Sequence, residues 1–222
     1  MKILSQRMYL QEAKTLANIV INSLEKEDTN TMGVDKDKIY TLDEFLLFVK
    51  EERAELYEGV PIFMAPASFE HEGVIANLIG EFRSRLKGNT YQLFGSNLQV
   101  VFPFKDEKKG KEDVTVLPDI SIVCDRSKLK NNRCYGAPDL VVEVLSPSTA
   151  RNDRLLKRLY YEKAGVREYL IVDYQNQSIE KYILHQDSYQ LEEIYSSENQ
   201  SFHSTIFPDV TFPIATIFSF LD

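Results

Sequence analysis

No apolar run in this sequence approaches the roughly 18 residues that a membrane span needs. Met1-Lys2-Ile3-Leu4-Ser5 leads into polar sequence and not into a signal-peptide core. The expectation is a cytoplasmic protein with no membrane partner. Cysteine is scarce, and the two present, Cys124 and Cys134, have neither CxxC spacing nor a nearby histidine, which argues against zinc. They read as reduced thiols, with a local disulfide the alternative. There is no glycine-rich phosphate loop and no internal repeat, so nucleotide hydrolysis has no support. Positive charge is also short: 26 Lys and Arg face 34 Asp and Glu, a formal charge of −8. That balance argues against a broad footprint for nucleic acid, so any such face must be local. What remains, 43% hydrophobic and 27% charged with 9 glycines, is ordinary for a globular chain of 222 residues. Such a chain can bury a substantial core in one domain.

Two apolar runs carry acids where packing predicts none. Leu117-Pro118-Asp119-Ile120-Ser121-Ile122-Val123 and Pro138-Asp139-Leu140-Val141-Val142-Glu143-Val144-Leu145 are short, rich in Val and Ile and bounded by turn residues, as strands are. An ionised carboxylate in such a run is costly to desolvate unless it is paired or bound to a cation. Strand alternation sends Asp139, Val141 and Glu143 to one face and Leu140 and Val142 to the other. If Asp119 lies at the mouth of the neighbouring strand, it and Glu143 offer two hard oxygen ligands, which suit Mg²⁺ or Mn²⁺. Asp139 is roughly 13 Å from Glu143 along the strand, too far to share an ion, and reads as a strand-entry residue. The helix after this strand, over residues 152–164, brings Lys157 back over the strand end.

These residues resemble the PD-(D/E)xK nuclease superfamily, in the variant whose lysine has moved from the strand to the next helix, since Leu145 stands where the superfamily often has lysine. A wider pattern resembles the Uma-type family of restriction-endonuclease-like proteins over residues 40–182. It comprises Tyr57-Glu58-Gly59, Met64-Ala65-Pro66-Ala67, His71, Leu117-Pro118-Asp119-Ile120, the run from Gly136 to Ser148, and that from Tyr161 to Asp173. The resemblance implies an α/β (α+β) restriction-endonuclease-like fold with a mixed central sheet flanked by helices over residues 39–222. It implies Mg²⁺-dependent (or Mn²⁺-dependent) endonuclease chemistry on nucleic acid, DNA first. Asp119, Glu143 and the Val144 carbonyl would be the metal ligands and Lys157 the group that acts on water or phosphate. Glu58 looks like the family's acid in its segment, or else is an exposed turn residue. His71 matches a family position; it is either a capping residue or an imidazole that orients a carboxylate or a scissile phosphate.

The rest of the chain frames this set. Residues 6–26 repeat Leu10, Ala13, Leu16, Ala17, Val20, Ile21 and Leu24 at helical steps; this helix and a polar linker make up an extension over residues 1–38. The helix packs on the domain or forms a homodimer contact. Thr41 and Glu44 predict a capping box for a helix running to about Arg53. Residues 56–64 read as a hairpin with Pro61 on an edge strand, and Ser68 opens a helix that Gly88 stops. Residues 91–104 and 114–124 each read as one strand, residues 105–113 as a charged loop and residues 125–135 as another loop. Lys128 and Lys130 in that last loop, and Arg151, Arg154 and Arg158 around Lys157, are the candidate phosphate contacts. A second reading, a catalytically silent interaction or assembly module on the nuclease fold, rests on the acidic net charge, the displaced lysine and the N-terminal helix.

Overall fold

The computed structural model describes residues 38–49, 53–86, 90–104, 114–147 and 149–219. The expected N-terminal helix, all of its linker but Lys38, Gly88 and the charged stretch 105–113 lie outside the described residues.

Helix α1 (Leu42–Phe48) starts at the expected capping box: the Glu44 N–H donates to Thr41 Oγ1, and the Thr41 N–H donates to Glu44 Oε2 at 2.8 Å. It ends at Phe48 and not near Arg53, because Arg53 is drawn toward the next hairpin, its carbonyl accepting from the Met64 N–H at 2.9 Å. Strands β1 (Ala54–Tyr57) and β2 (Val60–Phe63) turn through Glu58 and Gly59, at φ 49° and 89°. Two left-handed residues are what a two-residue type I′ turn requires. Pro61 lies on β2 at the edge of its sheet, where a missing N–H costs no ladder bond. Helix α2 (Phe69–Arg85), capped by Ser68, buries Val74, Ile75, Leu78 and Phe82 and pairs Glu81 with Arg85 one turn on.

The two stretches expected as single strands each divide. Strands β3 (Gln92–Gly95) and β4 (Gln99–Phe102) part at a turn in which the Leu98 N–H donates to the Gly95 carbonyl at 3.2 Å. Strands β5 (Val114–Val116) and β6 (Ile120–Val123) part at Leu117-Pro118-Asp119, where the proline has no N–H with which to continue a ladder. Each break passes the chain from one sheet to another, so two six-stranded mixed sheets stand where one was expected. The loop expected at residues 125–135 holds a hairpin, β7 (Leu129–Lys130) and β8 (Arg133–Tyr135), joined by Asn131 and Asn132 at φ 50° and 60°. The remainder is β9 (Leu140–Val144), a π-helical stretch (Asn152–Lys157) running into α3 (Arg158–Ala164), then β10 (Glu168–Asp173), β11 (Ser178–His185), β12 (Ser188–Tyr195), β13 (Ser201–His203), β14 (Thr211–Pro213) and α4 (Ala215–Phe218). Gly165, at φ 89°, stops α3 as a left-handed cap.

The first sheet runs β2-β1-β5-β4-β8-β7 and the central sheet β12-β11-β10-β9-β6-β3, with β9 and β10 parallel. Side-chain alternation gives the central sheet two apolar faces. Leu140, Val142, Leu170 and Val172 pack under α2 and the C-terminal tail, whereas Val141, Tyr169 and Ile171 pack against α3 and the first sheet. The helices of His71 and Lys157 therefore cover opposite faces of the sheet that carries Glu143. Among the described residues no helix is long and apolar enough to cross a membrane.

Two glycines should respond to alanine in opposite senses. A Cβ on Gly59 would lie 2.3 Å from Ile39 Cγ2 and 2.9 Å from the Tyr40 carbonyl oxygen, on a backbone already left-handed. Gly59→Ala should lower stability by about 1–3 kcal/mol. Gly80, mid-helix with open space around it, should gain about 0.5–1 kcal/mol as alanine. Urea midpoints at constant m-value measure both.

Candidate active site

Each acid of the site stands on a different element. Glu143 is the fourth residue of β9, and its neighbours on that strand are all buried apolar side chains. Strand β6 pairs with β9 as Ile120 to Val142, Ser121 to Val141 and Ile122 to Leu140. Continuing that register by one step places Asp119 opposite Glu143. Asp119 has left the strand by then, because the chain is crossing between sheets, and its Oδ2 accepts the Val144 N–H at 2.8 Å. His71, in the first turn of α2, reaches the same point: its Nε2 lies 2.9 Å from the Val144 carbonyl oxygen and 3.3 Å from Asp119 Oδ2. Burial pulls the His71 pKa down, but the hydrogen bond and charge of Asp119 outweigh it, and the net direction is upward.

Lys157 enters from the other side. The π-helical stretch that carries it has one residue more per turn than an α-helix, a local distortion common at functional sites. Its ammonium is buried, 3.1 Å from Glu143 Oε2, 3.1 Å from Glu55 Oε1 and 3.4 Å from Asp153 Oδ1. The other oxygen of Glu143 accepts the Tyr161 hydroxyl. Glu55 also accepts the Leu117 N–H at 2.9 Å and the Tyr57 hydroxyl at 2.6 Å. Burial, with Asp119, Asp153 and Glu55 adding to it, pushes the Glu143 carboxyl well above its usual range against the opposing pull of Lys157. Burial likewise raises Asp153 to about 6. Burial would lower the lysine, yet Glu143, Glu55 and Asp153 hold it well above its ordinary value.

Asp119, Glu143, Val144, Lys157 and His71 are thus brought to one place, and Glu58 is not among them. Glu58 occupies the β1–β2 turn, where it accepts the Tyr160 hydroxyl at 3.0 Å. The acid this hairpin adds to the cluster is Glu55. In the structure Glu55 lies between Ala54 and Leu56 in a strand buried along its whole length, the same anomaly that marks Glu143. Asp153 had a signal in the sequence: it stands four residues before Lys157, one helical turn away.

The basic patch expected around Lys157 is thinner than its sequence. Asp153 and Lys157 turn inward, and Arg154 pairs with Glu180 and lies 3.7 Å from Asp173. Arg158 lies over the Tyr182 ring at 5.4 Å, while Arg151 is exposed. In the other basic segment Lys128 donates to the Ala137 carbonyl at 2.7 Å and Lys130 is exposed. Acids from β10 and β11, distant in sequence, offset the helix charge.

Glu55, Asp119, Glu143 and Asp153 are hard oxygen donors of the kind a divalent cation such as Mg²⁺ takes, gathered beside one ammonium and one imidazole. Asp153 Oδ1 is buried, with the Lys157 ammonium at 3.4 Å as its ion-pair partner. Among the described residues no three His, Cys, Asp or Glu side chains form a ready cage. The groups that would hold such an ion are the Asp119 and Glu143 carboxyls and the Val144 carbonyl, a small set of the kind Mg²⁺ takes when it keeps several waters.

The chain matches the family model Uma2, "Putative restriction endonuclease", over residues 42–215. It is 31% identical over 134 residues to the uncharacterized protein slr1290 of Synechocystis sp., covering 60% of this chain and 67% of that one. It is 26% identical over 147 residues to the uncharacterized protein sll1609 of the same organism, covering 64% and 79%. Its fold is shared with a crystal structure from Anabaena variabilis described as a putative nuclease belonging to DUF820, at a TM-score of 0.67 and 23% identity, covering 82% of this chain and 99% of the other. A family match spanning most of the chain, joined to that fold, assigns the protein: it belongs to the Uma2 family of putative restriction endonucleases.

Proposed function

We propose that the protein is a metal-dependent endonuclease that hydrolyses phosphodiester bonds of nucleic acid, DNA foremost. The observation that carries this reading is the convergence of Asp119, Glu143 and Lys157, from three separate segments, in one buried cluster of acids. Asp119, Glu143 and the Val144 carbonyl would hold Mg²⁺ or Mn²⁺. The ion supplies activation of water and neutralisation of charge on the transferring phosphate. Lys157, positioned by Glu55 and Asp153, places a compact positive charge where the attacking water and the developing phosphate charge meet. His71 Nε2–H, between the Val144 carbonyl and Asp119 Oδ2, orients both groups. Tyr161 fixes the rotamer of Glu143 from behind.

One specific observation favours a second reading, a silent interaction module. Both oxygens of Glu143 already have partners, Lys157 and Tyr161, so the network is closed without a ligand. Calorimetric titration with Mn²⁺ separates the two, since the silent module has no need to bind it.

Stability gives the first test. A carboxyl whose folded pKa is raised costs nothing below its ordinary value of 4.5. It destabilises the fold increasingly as pH rises above that value, and Asp153 acts in the same direction between 3.8 and about 6. In metal-free buffer Glu143→Gln should therefore match or exceed the wild-type melting temperature at pH 7, by a margin that shrinks toward zero near pH 4. Mn²⁺ should raise the wild-type value and leave the variant unmoved. A strong drop at pH 7 without metal would make Glu143 a structural acceptor and remove it from the site.

Activity gives the second. Lys157→Ala should reduce Mg²⁺-dependent cleavage of supercoiled plasmid by about two orders of magnitude or more while Mn²⁺ affinity stays within about tenfold. Lys157→Arg should restore little, because a planar guanidinium does not replace a compact ammonium. Removing the lysine leaves buried acids uncompensated, at about 3–5 kcal/mol, so turnover is read on protein shown to be folded by circular dichroism. Arg151→Ala should weaken binding and its salt dependence but spare turnover at saturating substrate. Wild-type turnover in folded Lys157→Ala would end the assignment of this lysine.

A further inference from the structure

An open pocket of about 810 Å³ lies between α2, the β3–β4 turn and the β7–β8 hairpin. One wall is apolar, formed by Ile75 and Ile79 of α2 with Phe94 and Leu98. The lining also holds three carboxamides, those of Asn97, Asn131 and Asn132, all exposed. Apolar groups with one aromatic ring, in one pocket with groups that both donate and accept, match the two surfaces of a nucleobase. Its faces stack on apolar and aromatic groups, and its edge is read by amides.

The charge around the pocket points to the same ligand. Residues 126–133 carry Arg126, Lys128, Lys130 and Arg133 and no acid, in a chain whose formal charge is −8. Lys130 and Arg133 line the pocket, so phosphates on either side of a bound base would meet positive charge. The hairpin is held rigidly: β8 pairs in parallel with β4, and Arg133 Nε donates to Gln99 Oε1 at 2.5 Å. Its tip is a two-residue turn with Asn131 and Asn132 both left-handed, which fixes the direction in which each side chain leaves the backbone.

The pocket shares elements with the acidic site. Glu72, on its lining, follows His71 in sequence. A second pocket of about 550 Å³ shares Asn97, Asn131, Asn132 and Arg133 with the first and reaches Ala54 and Leu117. Ala54 precedes Glu55, and the Leu117 N–H donates to Glu55.

We propose that this pocket is a nucleobase-binding subsite that takes one unpaired or extruded base of the nucleic-acid substrate, with Phe94 as the stacking surface and Asn97, Asn131 and Asn132 reading the base edge. The proposal rests on the reading that the chain acts on nucleic acid. Apolar α2 residues on the pocket wall make it part of the same rigid unit as His71, so a seated base sets the register of the backbone at the site.

The test is fluorescence anisotropy with the full chain in EDTA, comparing a perfectly paired DNA duplex with one carrying a single unpaired base. The wild type should bind the second about tenfold more tightly, the scale expected of one stacked base. Asn97→Ala with Asn132→Gly, both at exposed positions and the glycine keeping the left-handed turn, should bring that ratio close to one, as should Phe94→Leu. Lys130→Ala should weaken both duplexes and reduce the salt slope by about one. No preference in the wild type, or a preference untouched in the folded double variant, overturns the subsite. Plasmid cleavage with Mg²⁺ is measured in parallel. Cleavage without base preference ends the subsite and leaves the nuclease reading, whereas base preference without cleavage does the reverse.

Discussion

The buried ammonium of Lys157 is the constraint on which the arrangement depends. A lysine in the interior is tolerated only with its charge compensated, and here the compensation comes from Glu55 on the first sheet, Glu143 on the central sheet and Asp153 on the lysine's own helix. One cation thereby ties three elements that apolar packing alone would leave free to slide. Apolar contacts are non-directional. A charge held at about 3 Å by three carboxylates is not.

The tyrosines around this centre make the directional network possible. Tyr57, Tyr161 and Tyr169 are buried; the first two donate to Glu55 and Glu143, and Tyr169 donates to the Asp153 carbonyl at 3.0 Å. Tyr161 packs edge-on to Tyr169 with ring centroids 5.0 Å apart. Each ring fills core volume while its hydroxyl satisfies a polar group, which lets acids sit in a medium that would otherwise reject them. The cost falls on Glu143 and Asp153, whose carboxyls are held against their preferred ionisation, the usual condition of functional acids.

The break at Leu117-Pro118-Asp119 has a comparable part in the fold. By ending one strand and starting another in a different sheet, it brings Asp119 to the seam between the sheets, within reach of His71 from one face of the central sheet and beside Glu143, which faces the other. The division of residues 91–104 at Gly95 does the same for the pocket beside the β7–β8 hairpin. Both sites occupy places where the chain changes sheets. The backbone there is not committed to a ladder and can offer side chains at angles that a continuous strand cannot.

Sequence alone determined the strand that carries Glu143, the faces of β9, the two capped helix starts and the turn at Gly59, because these follow from local periodicity and backbone preference. It also marked the acids, since an ionisable residue in an apolar run is anomalous whatever surrounds it. Only the tertiary structure decided that two sheets exist, because a strand pattern does not say which partner it pairs with. Likewise, Glu55 and not Glu58 reaches the cluster because burial of every residue in β1 depends on what covers it. Arg154 is neutralised because Asp173 and Glu180 arrive from strands that follow it in sequence. Pairing, coverage and charge compensation are long-range properties, and the spacing of residues along one chain does not contain them.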